Sequence, residues 1–267
     1  MQASIQQAEQ KWHDNLYASR PERDLVVPLS IRNRYLSPPR APRFSLECLF
    51  ILVGDIANKR VLVLGCGDDN TTVLLALKGA EVWAFDISEE AIRLQEKMAL
   101  ANGVRDRIHL FVGAAEEFPF SRNSFDLIVG TAILHHIPDH LSQLPQQLVP
   151  ALDRNGRALF VEPVTLSPVL GRVLAWLPGH QAISPGERQL TGVDIGYFGK
   201  CFRMKSHYFC FLARLDRFIL NQPLEAAPFW QRIIVNVIHG IDRIVLSVPF
   251  LNRLAGVAVL ELSPLQQ

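Results

Sequence analysis

The most constraining feature of this 267-residue chain is an apolar run at residues 61–64 that leads into the glycine turn at residues 65–67. Asp86 follows 19 residues after that turn, at the end of a second apolar run. The order strand, glycine turn, helix and strand is typical of nucleoside-binding units, in which the acid accepts hydrogen bonds from both ribose hydroxyls. The spacing therefore predicts a nucleoside pocket at the carboxyl edge of a parallel sheet.

Strands and helices alternate through the middle of the chain. The apolar patterns predict strands at 61–64, 81–85, 108–112, 125–130 and 157–162, and helices at 71–78, 88–102 and 141–152. Ser88 is a suitable helix start, and Asn102 with Gly103 is a suitable stop. Apolar strands separated by helices of this length require right-handed crossovers. This region is predicted to be an α/β domain with a parallel sheet.

The two ends of the chain do not show this regular alternation of strands and helices. Before it, we expect a short helix at 8–18, an irregular Pro- and Arg-rich passage and a helix at 44–56. After it, we expect a helix at 170–177, strands at 202–213 and 256–262, and an amphipathic helix at 229–246. We divide the chain into an N-terminal lid (1–57), a cofactor-binding core (58–163), and a substrate cover with the final strands (164–267).

Composition narrows the function classes. The net charge is +1, and residues 60–162 carry 9 Lys and Arg against 14 Asp and Glu, so we expect no nucleic-acid partner. The four cysteines form no pair with metal-ligand spacing, and we predict no metal site. The chain shows neither a signal-peptide core nor an apolar run of about 18 residues. These features predict a cytoplasmic protein, and they leave protein partners unknown.

The glycine turn departs from the dinucleotide fingerprint. Asp69 stands near the position of the last glycine, beside Asp68, and two carboxylates there would repel a pyrophosphate. A cationic cofactor without phosphates fits this turn better. S-adenosylmethionine (SAM) has a sulfonium, an ammonium and a ribose, and no phosphate.

Five segments in order resemble the class I SAM-dependent methyltransferases, particularly the branch of quinone-biosynthesis and small-molecule enzymes. They are 61–67 (the glycine turn), 85–88 (the acidic end of strand two), 113–120 (the adenine loop), 124–131 (strand four) and 134–139 (the segment Leu-His-His-Ile-Pro-Asp). The resemblance covers residues 60–162. It implies a Rossmann-like three-layer sandwich with a mostly parallel seven-stranded sheet, an N-terminal lid and a C-terminal helical insertion.

The resemblance also implies roles for individual residues. Those expected to bind SAM are Gly65, Cys66, Gly67, Asp86, Ile87, Ala115, Glu116 and Thr131. His136, and after it His135, are the candidate catalytic bases, since an imidazole can take a proton from a substrate hydroxyl near neutral pH. The function implied is methyl transfer from SAM to a small apolar acceptor such as a lipid, a quinone or an aromatic metabolite, at oxygen rather than carbon.

Two other functions stay open at this point. Val63, Asp69 and Ala114 differ from the family pattern, and each change alters a contact to SAM. A non-catalytic scaffold or binding subunit that retained the fold is therefore the first alternative. A nicotinamide-dependent oxidoreductase is the second, although the fingerprint lacks its last glycine.

The flanking segments offer further candidates. Trp12 and Tyr17 either close over the pocket or simply pack their helix onto the domain. The aromatic residues of the cover suggest an apolar acceptor. Basic residues and the amphipathic helix between 200 and 253 are compatible with peripheral contact to an anionic membrane. We expect the simpler arrangement, in which that helix packs its apolar face on its own domain.

Overall fold

The computed structural model of the protein describes residues 2–17, 25–115, 122–169, 187–222 and 224–265. The strands are β1 (Arg60–Leu64), β2 (Glu81–Asp86), β3 (Ile108–Val112), β4 (Phe125–Thr131), β5 (Leu152–Pro163), β6 (Phe202–Phe209) and β7 (Val257–Pro264). The helices are α1 (Gln2–Tyr17), α2 (Leu29–Leu36), α3 (Ser45–Val53), α4 (Thr71–Leu77), α5 (Glu89–Ala101), α6 (Leu144–Ala151), α7 (Gly192–Phe198), α8 (Asp216–Ile219) and α9 (Phe229–Leu246). Short 3₁₀ turns occupy Leu134–His136 and Leu212–Leu215, among others.

The strands form one seven-stranded sheet in the order β3-β2-β1-β4-β5-β7-β6. The first five strands pair in parallel, and β7 runs antiparallel to both β5 and β6. The strand order reverses between β1 and β4, which in open α/β sheets is where a ligand crevice forms at the carboxyl ends. The predicted Rossmann-like, mostly parallel sheet is confirmed.

Side chains of β1 alternate between two hydrophobic cores. Val61 and Val63 face a core shared with α3, α4 and α5. Leu62 and Leu64 face a second core shared with α6 and α7. Because successive strand residues point to opposite faces, one apolar strand serves both cores and fixes a three-layer sandwich.

The ends of α5 follow the sequence signals. The Ser88 hydroxyl accepts a hydrogen bond from the Ala91 amide at 3.1 Å, as expected of a helix N-cap. The helix gives way at Asn102, and Gly103 takes a φ of +69°. The prediction of this helix is confirmed to within a residue at each end.

The Pro- and Arg-rich passage is not wholly irregular, and here the prediction was wrong. Helix α2 forms directly after Pro28, which can occupy a helix start because no intrahelical donor is needed there. Tyr35 anchors the helix, since its buried ring packs 5.3 Å from that of Phe50. The amide of Val27 is held by the side chain of Asn102 at 2.9 Å.

Two strand predictions also needed correction. β5 starts at Leu152, five residues before the predicted start at Arg157. β6 ends at Phe209 rather than Ala213, because Cys210 takes a φ of +62°, in the left-handed region, which turns the chain out of the sheet. The predicted helix at 170–177 lies outside the described residues.

Helix α9 packs with the face opposite to the one expected. Its buried positions include Gln231, His239 and Asp242. Asp242 accepts hydrogen bonds from the amides of residues 211–213, which explains why this polar side is turned inward. The outward apolar face is formed by Trp230, Ile233, Ile234, Val237, Ile241 and Ile244, which are 41–72% exposed.

In the part of the chain that the structure describes, none of the helices is long and apolar enough to cross a bilayer.

Candidate active site

The glycine turn lies at the carboxyl end of β1 and has a geometry that side chains would disturb. Gly65 and Gly67 have φ values of +63° and +46°. A β-carbon on Gly65 would lie 2.6 Å from Cδ1 of Ile133. The Gln95 side-chain amide donates to the carbonyls of Cys66, Gly67 and Asp69 at 3.0–3.1 Å. Gln95 was missed in the sequence analysis, although it lies on the predicted helix that follows strand two.

Asp86 ends β2 beside this turn, where the sequence predicted it. Its two carboxylate oxygens accept hydrogen bonds from the amides of Gly67 and Ser88, both at 2.9 Å. Burial raises the pKa of the carboxyl group, while the two amide donors act in the opposite direction. Each oxygen has a second lone pair, so the group can still accept a hydroxyl on either side.

Asp69 is a second carboxylate in the same turn. It accepts hydrogen bonds from the Thr71 amide at 2.6 Å and from the Thr131 hydroxyl at 2.7 Å. Burial raises its pKa despite these donors. Thr131 ends β4, so this hydrogen bond joins the turn after β1 to the end of the neighbouring strand at the topological switch point.

Helix α1 lies over the turn. Asp14 accepts a hydrogen bond from the Ser88 hydroxyl at the start of α5. A β-carbon on Gly67 would lie 3.4 Å from the Tyr17 hydroxyl. Burial, and after it the negative charges of Asp86 and Asp68, raise the pKa of Tyr17. Helix α1 therefore contacts the turn and the start of α5.

The two candidate bases differ in their surroundings. His135 is buried, and its Nδ1 lies 2.9 Å from Oε2 of Glu162. The other oxygen of Glu162 accepts hydrogen bonds from the amides of Ile133 and Leu134, both at 2.9 Å. The carboxylate is thus fixed by two backbone donors and in turn orients the imidazole, leaving Nε2 directed toward Glu187 at 3.6 Å.

His136 instead faces the lid helix. Its Nδ1 lies 3.5 Å from the carboxylate of Glu9, and its ring lies 5.1 Å from that of His13. Ligating atoms of Glu9, His13 and His136 fall within 4.8 Å of one another, as do those of His135, His136 and Glu187. Sequence spacing could not reveal these groups, because their members come from segments far apart in the chain.

One cavity of about 1300 Å³ joins these groups. It is larger than the roughly 300–1000 Å³ of a pocket for a single drug-sized ligand, so it has room for a cofactor and an acceptor. The predicted residues that line it are Gly65, Cys66, Gly67, Asp86, Ile87, Ala115, Thr131, His135 and His136. Glu116 lies outside the described residues.

The far end of the cavity is lined by apolar groups from distant segments. Leu212, Leu215 and Phe218 contribute from around α8. Phe198 and Phe202, which the sequence suggested for the acceptor pocket, are instead buried in the hydrophobic core. The residues that replace them belong to a 3₁₀ turn and a short helix that no sequence pattern indicated.

Comparison with known proteins adds to this geometry. Residues 61–156 match the protein family described as a methyltransferase domain. This region is a class I SAM-dependent methyltransferase domain. The match includes the glycine turn, Asp86 and both histidines, and it does not favour the oxidoreductase alternative.

Relatives and solved structures agree with that assignment. The ubiquinone biosynthesis O-methyltransferase of Bordetella parapertussis is 27% identical over 43% of this chain and 46% of its own. The ajmaline N-methyltransferase of Rauvolfia serpentina is 23% identical over 65% of this chain and 55% of its own. The chain thus spans about half the length of these curated relatives.

The fold extends beyond the matched domain. The crystal structure of geranyl diphosphate C-methyltransferase from Streptomyces coelicolor, with Mg²⁺, geranyl diphosphate and S-adenosylhomocysteine, superposes with a TM-score of 0.58 at 10% identity. The superposition covers 96% of this chain and 98% of that protein. At this identity, the likeness shows a shared fold.

The residues of the cavity fit the cofactor of this family. Gly65 and Gly67 line the cavity without side chains that would fill it, and Asp86 presents acceptors for a ribose. Burial raises the pKa values of the Asp69 and Asp86 carboxyl groups, because it disfavours their charged forms. A sulfonium and an ammonium would stabilise these negative charges, whereas a pyrophosphate would be repelled.

Proposed function

We propose that the protein transfers a methyl group from SAM to a hydroxyl oxygen of a small apolar acceptor. The observation that carries this proposal is the buried His135–Glu162 pair in the same cavity as the glycine turn and Asp86. SAM supplies, when bound, an activated sulfonium methyl and leaves as S-adenosylhomocysteine. The protein must position the acceptor and receive its proton.

In this proposal the cofactor is held by the turn side of the cavity. Asp86 accepts hydrogen bonds from the ribose hydroxyls, and the backbone at residues 65–67 binds the amino acid portion. Ile87, Ala115 and Glu116 surround the adenine, while Thr131 lines the channel toward the methyl. Tyr17 and Trp12 of α1 cover the cofactor from the other side.

His135 is the proposed base. Glu162 accepts the hydrogen bond of its Nδ1–H and thereby leaves Nε2 as the proton acceptor. The acceptor hydroxyl gives its proton to Nε2 as the oxygen–methyl bond forms and the sulfur–methyl bond breaks. His136, which the sequence ranked first, contacts Glu9 and His13 and is proposed to couple the lid to the site.

Calorimetric titration with SAM and S-adenosylhomocysteine tests the cofactor part of the proposal. We expect dissociation constants of about 1–100 μM, in the range of ordinary enzyme substrates. Transfer of tritium from methyl-labelled SAM to a panel of apolar phenols then tests the acceptor part. Absence of binding to both ligands would overturn the proposal in favour of a scaffold.

A further inference from the structure

We propose that the outward apolar face of α9 rests on an anionic lipid surface, from which the cavity takes its acceptor. The source of the acceptor depends on the proposed function, whereas the contact of α9 with lipid does not. The inference starts from the inverted packing of α9, whose outward side chains include Trp230 at 58% and Ile244 at 72% exposure.

Inverted packing is fixed by polar contacts. His239 places Nε2 2.6 Å from the carboxylate of Asp216, and the Gln231 amide donates to the Ile219 carbonyl at 2.7 Å. Asp242 binds three amides of the preceding turn. Rotating the helix to bury its apolar face would break all of these, and buried polar groups without partners are costly. The apolar face is therefore held outward.

Charge favours a lipid surface that is negative. From residue 210 to 253 the chain carries Asp216, Glu225 and Asp242 as its only acids. Each is engaged within the protein: Asp216 with His239, Glu225 with Arg34, and Asp242 with backbone amides. Arginines 217, 232 and 253 are exposed. An amphipathic helix with Trp and Ile on one side and arginines beside it is typical of interfacial binding.

The same charges disfavour a second copy of this chain as the occupant. A two-fold interface places the same surface on both sides, so two copies of this basic surface would meet with like charge on both sides. Anionic headgroups would neutralise these arginines instead. Exposed Lys and Arg residues near such a surface are attracted to it, and added salt weakens that attraction.

The exposed face continues to the mouth of the cavity. Leu215 and Phe218 are 48% and 66% exposed, and with Arg217 they also line the cavity. Gln231 ties α9 to Ile219 at the end of α8, so the two helices are neighbours at this end of the cavity. A membrane in contact with α9 would therefore meet the apolar end of the cavity, which suits an acceptor dissolved in lipid.

Flotation of the full chain with lipid vesicles tests the surface. We expect binding to vesicles of phosphatidylcholine with about one-third phosphatidylglycerol, at least tenfold weaker binding to pure phosphatidylcholine, and loss of binding at high salt. The double variant Trp230→Gln/Ile241→Gln should lower the partition coefficient about tenfold or more. The matched control Leu100→Gln/Phe111→Gln, which changes one exposed residue of α5 and one of the edge strand β3, should alter it less than about twofold.

Two results would overturn the inference. One is the absence of wild-type binding to anionic vesicles. The other is a dimer in sedimentation equilibrium that dissociates in Trp230→Gln/Ile241→Gln, which would assign the face to a second copy. SAM titration of the same proteins separates this inference from the proposed function: vesicle binding without SAM binding would retain the surface and reject the enzyme.

Discussion

The turn end and the α8 end of the cavity are built from very different stretches of chain. At the turn end, Gly67, Asp86 and Gln95 lie within 29 residues and are joined by hydrogen bonds. At the other end, Val161 and Phe218 lie 57 residues apart in the chain. The first end is a rigid unit formed by adjacent strands, and the second depends on the whole fold. Cofactor binding and acceptor choice should therefore respond to different substitutions.

Removing the base should produce the largest difference between the effect on turnover and the effect on cofactor binding. We expect His135→Ala to lower kcat about 10²–10⁴-fold, because a positioned general base contributes about that much, while SAM affinity stays within about twofold. Glu162→Gln should lower kcat less, because the imidazole remains but loses its orienting charge. Initial rates with the best phenol of the panel, together with SAM titration, measure both effects.

His140→Ala is the matched control for that experiment. His140 is also buried, but it pairs with Gln147 at 2.9 Å and does not line the cavity. If His136→Ala, rather than His135→Ala, abolished turnover with the cofactor still bound, the role of base would pass to His136.

Substitution of Asp86, at the turn end, should weaken SAM binding without changing the choice of acceptor. Two charge-assisted hydrogen bonds to a ribose are worth about 1.5–3 kcal/mol each, so Asp86→Ala should weaken SAM binding about 100-fold or more. Asp126→Ala is its control: Asp126 likewise accepts a backbone hydrogen bond, from Arg60 at 2.8 Å, but at the amino end of β4. Equal losses in both variants would show a general loss of folding instead.

The sequence predicted the turn end well because its chemistry is local. The hydrogen bonds of Asp86 and Gln95 to the turn join residues separated by one strand–helix unit, and the spacing of glycines and acids records the position of Asp86. Gln95 was missed since an amide on a helix has no distinctive pattern. The pairing of His135 with Glu162, the approach of Glu9 and His13, and the inward polar face of α9 depend on tertiary packing. Helical periodicity reveals two faces but does not say which is buried.

The pH dependence of SAM binding tests whether the acids at the turn act through charge. Burial raises the pKa values of Asp69 and Asp86, so in the free protein both carry protons at higher pH than usual. Their protonated forms favour the folded state, and the free protein loses that stability as pH rises through the raised pKa values. A bound cation offsets this loss.

The rise in melting temperature caused by SAM should therefore grow with pH above the ordinary Asp range, and shrink as pH falls. Asp69→Asn retains an acceptor for the Thr71 amide. This variant should make the SAM-induced rise in melting temperature depend less on pH. Thermal melts with and without SAM from acid to neutral pH measure this. A profile unchanged in Asp69→Asn would mean that this carboxylate does not contribute to binding through its charge.

The smallest effect should come from the lid, which contacts the turn end without belonging to it. Tyr17→Phe removes the hydroxyl near Gly67 and leaves the ring in place. Burial and the carboxylates nearby keep that phenol neutral, so it can act only as a hydrogen-bond donor or by packing. Loss of one neutral hydrogen bond costs about 0.5–1.5 kcal/mol, which corresponds to a roughly 2–12-fold weaker affinity for SAM. Tyr17→Ala, which also uncovers the turn, should cost more, and equal titration results for the two variants would show that the ring contributes nothing to cofactor binding.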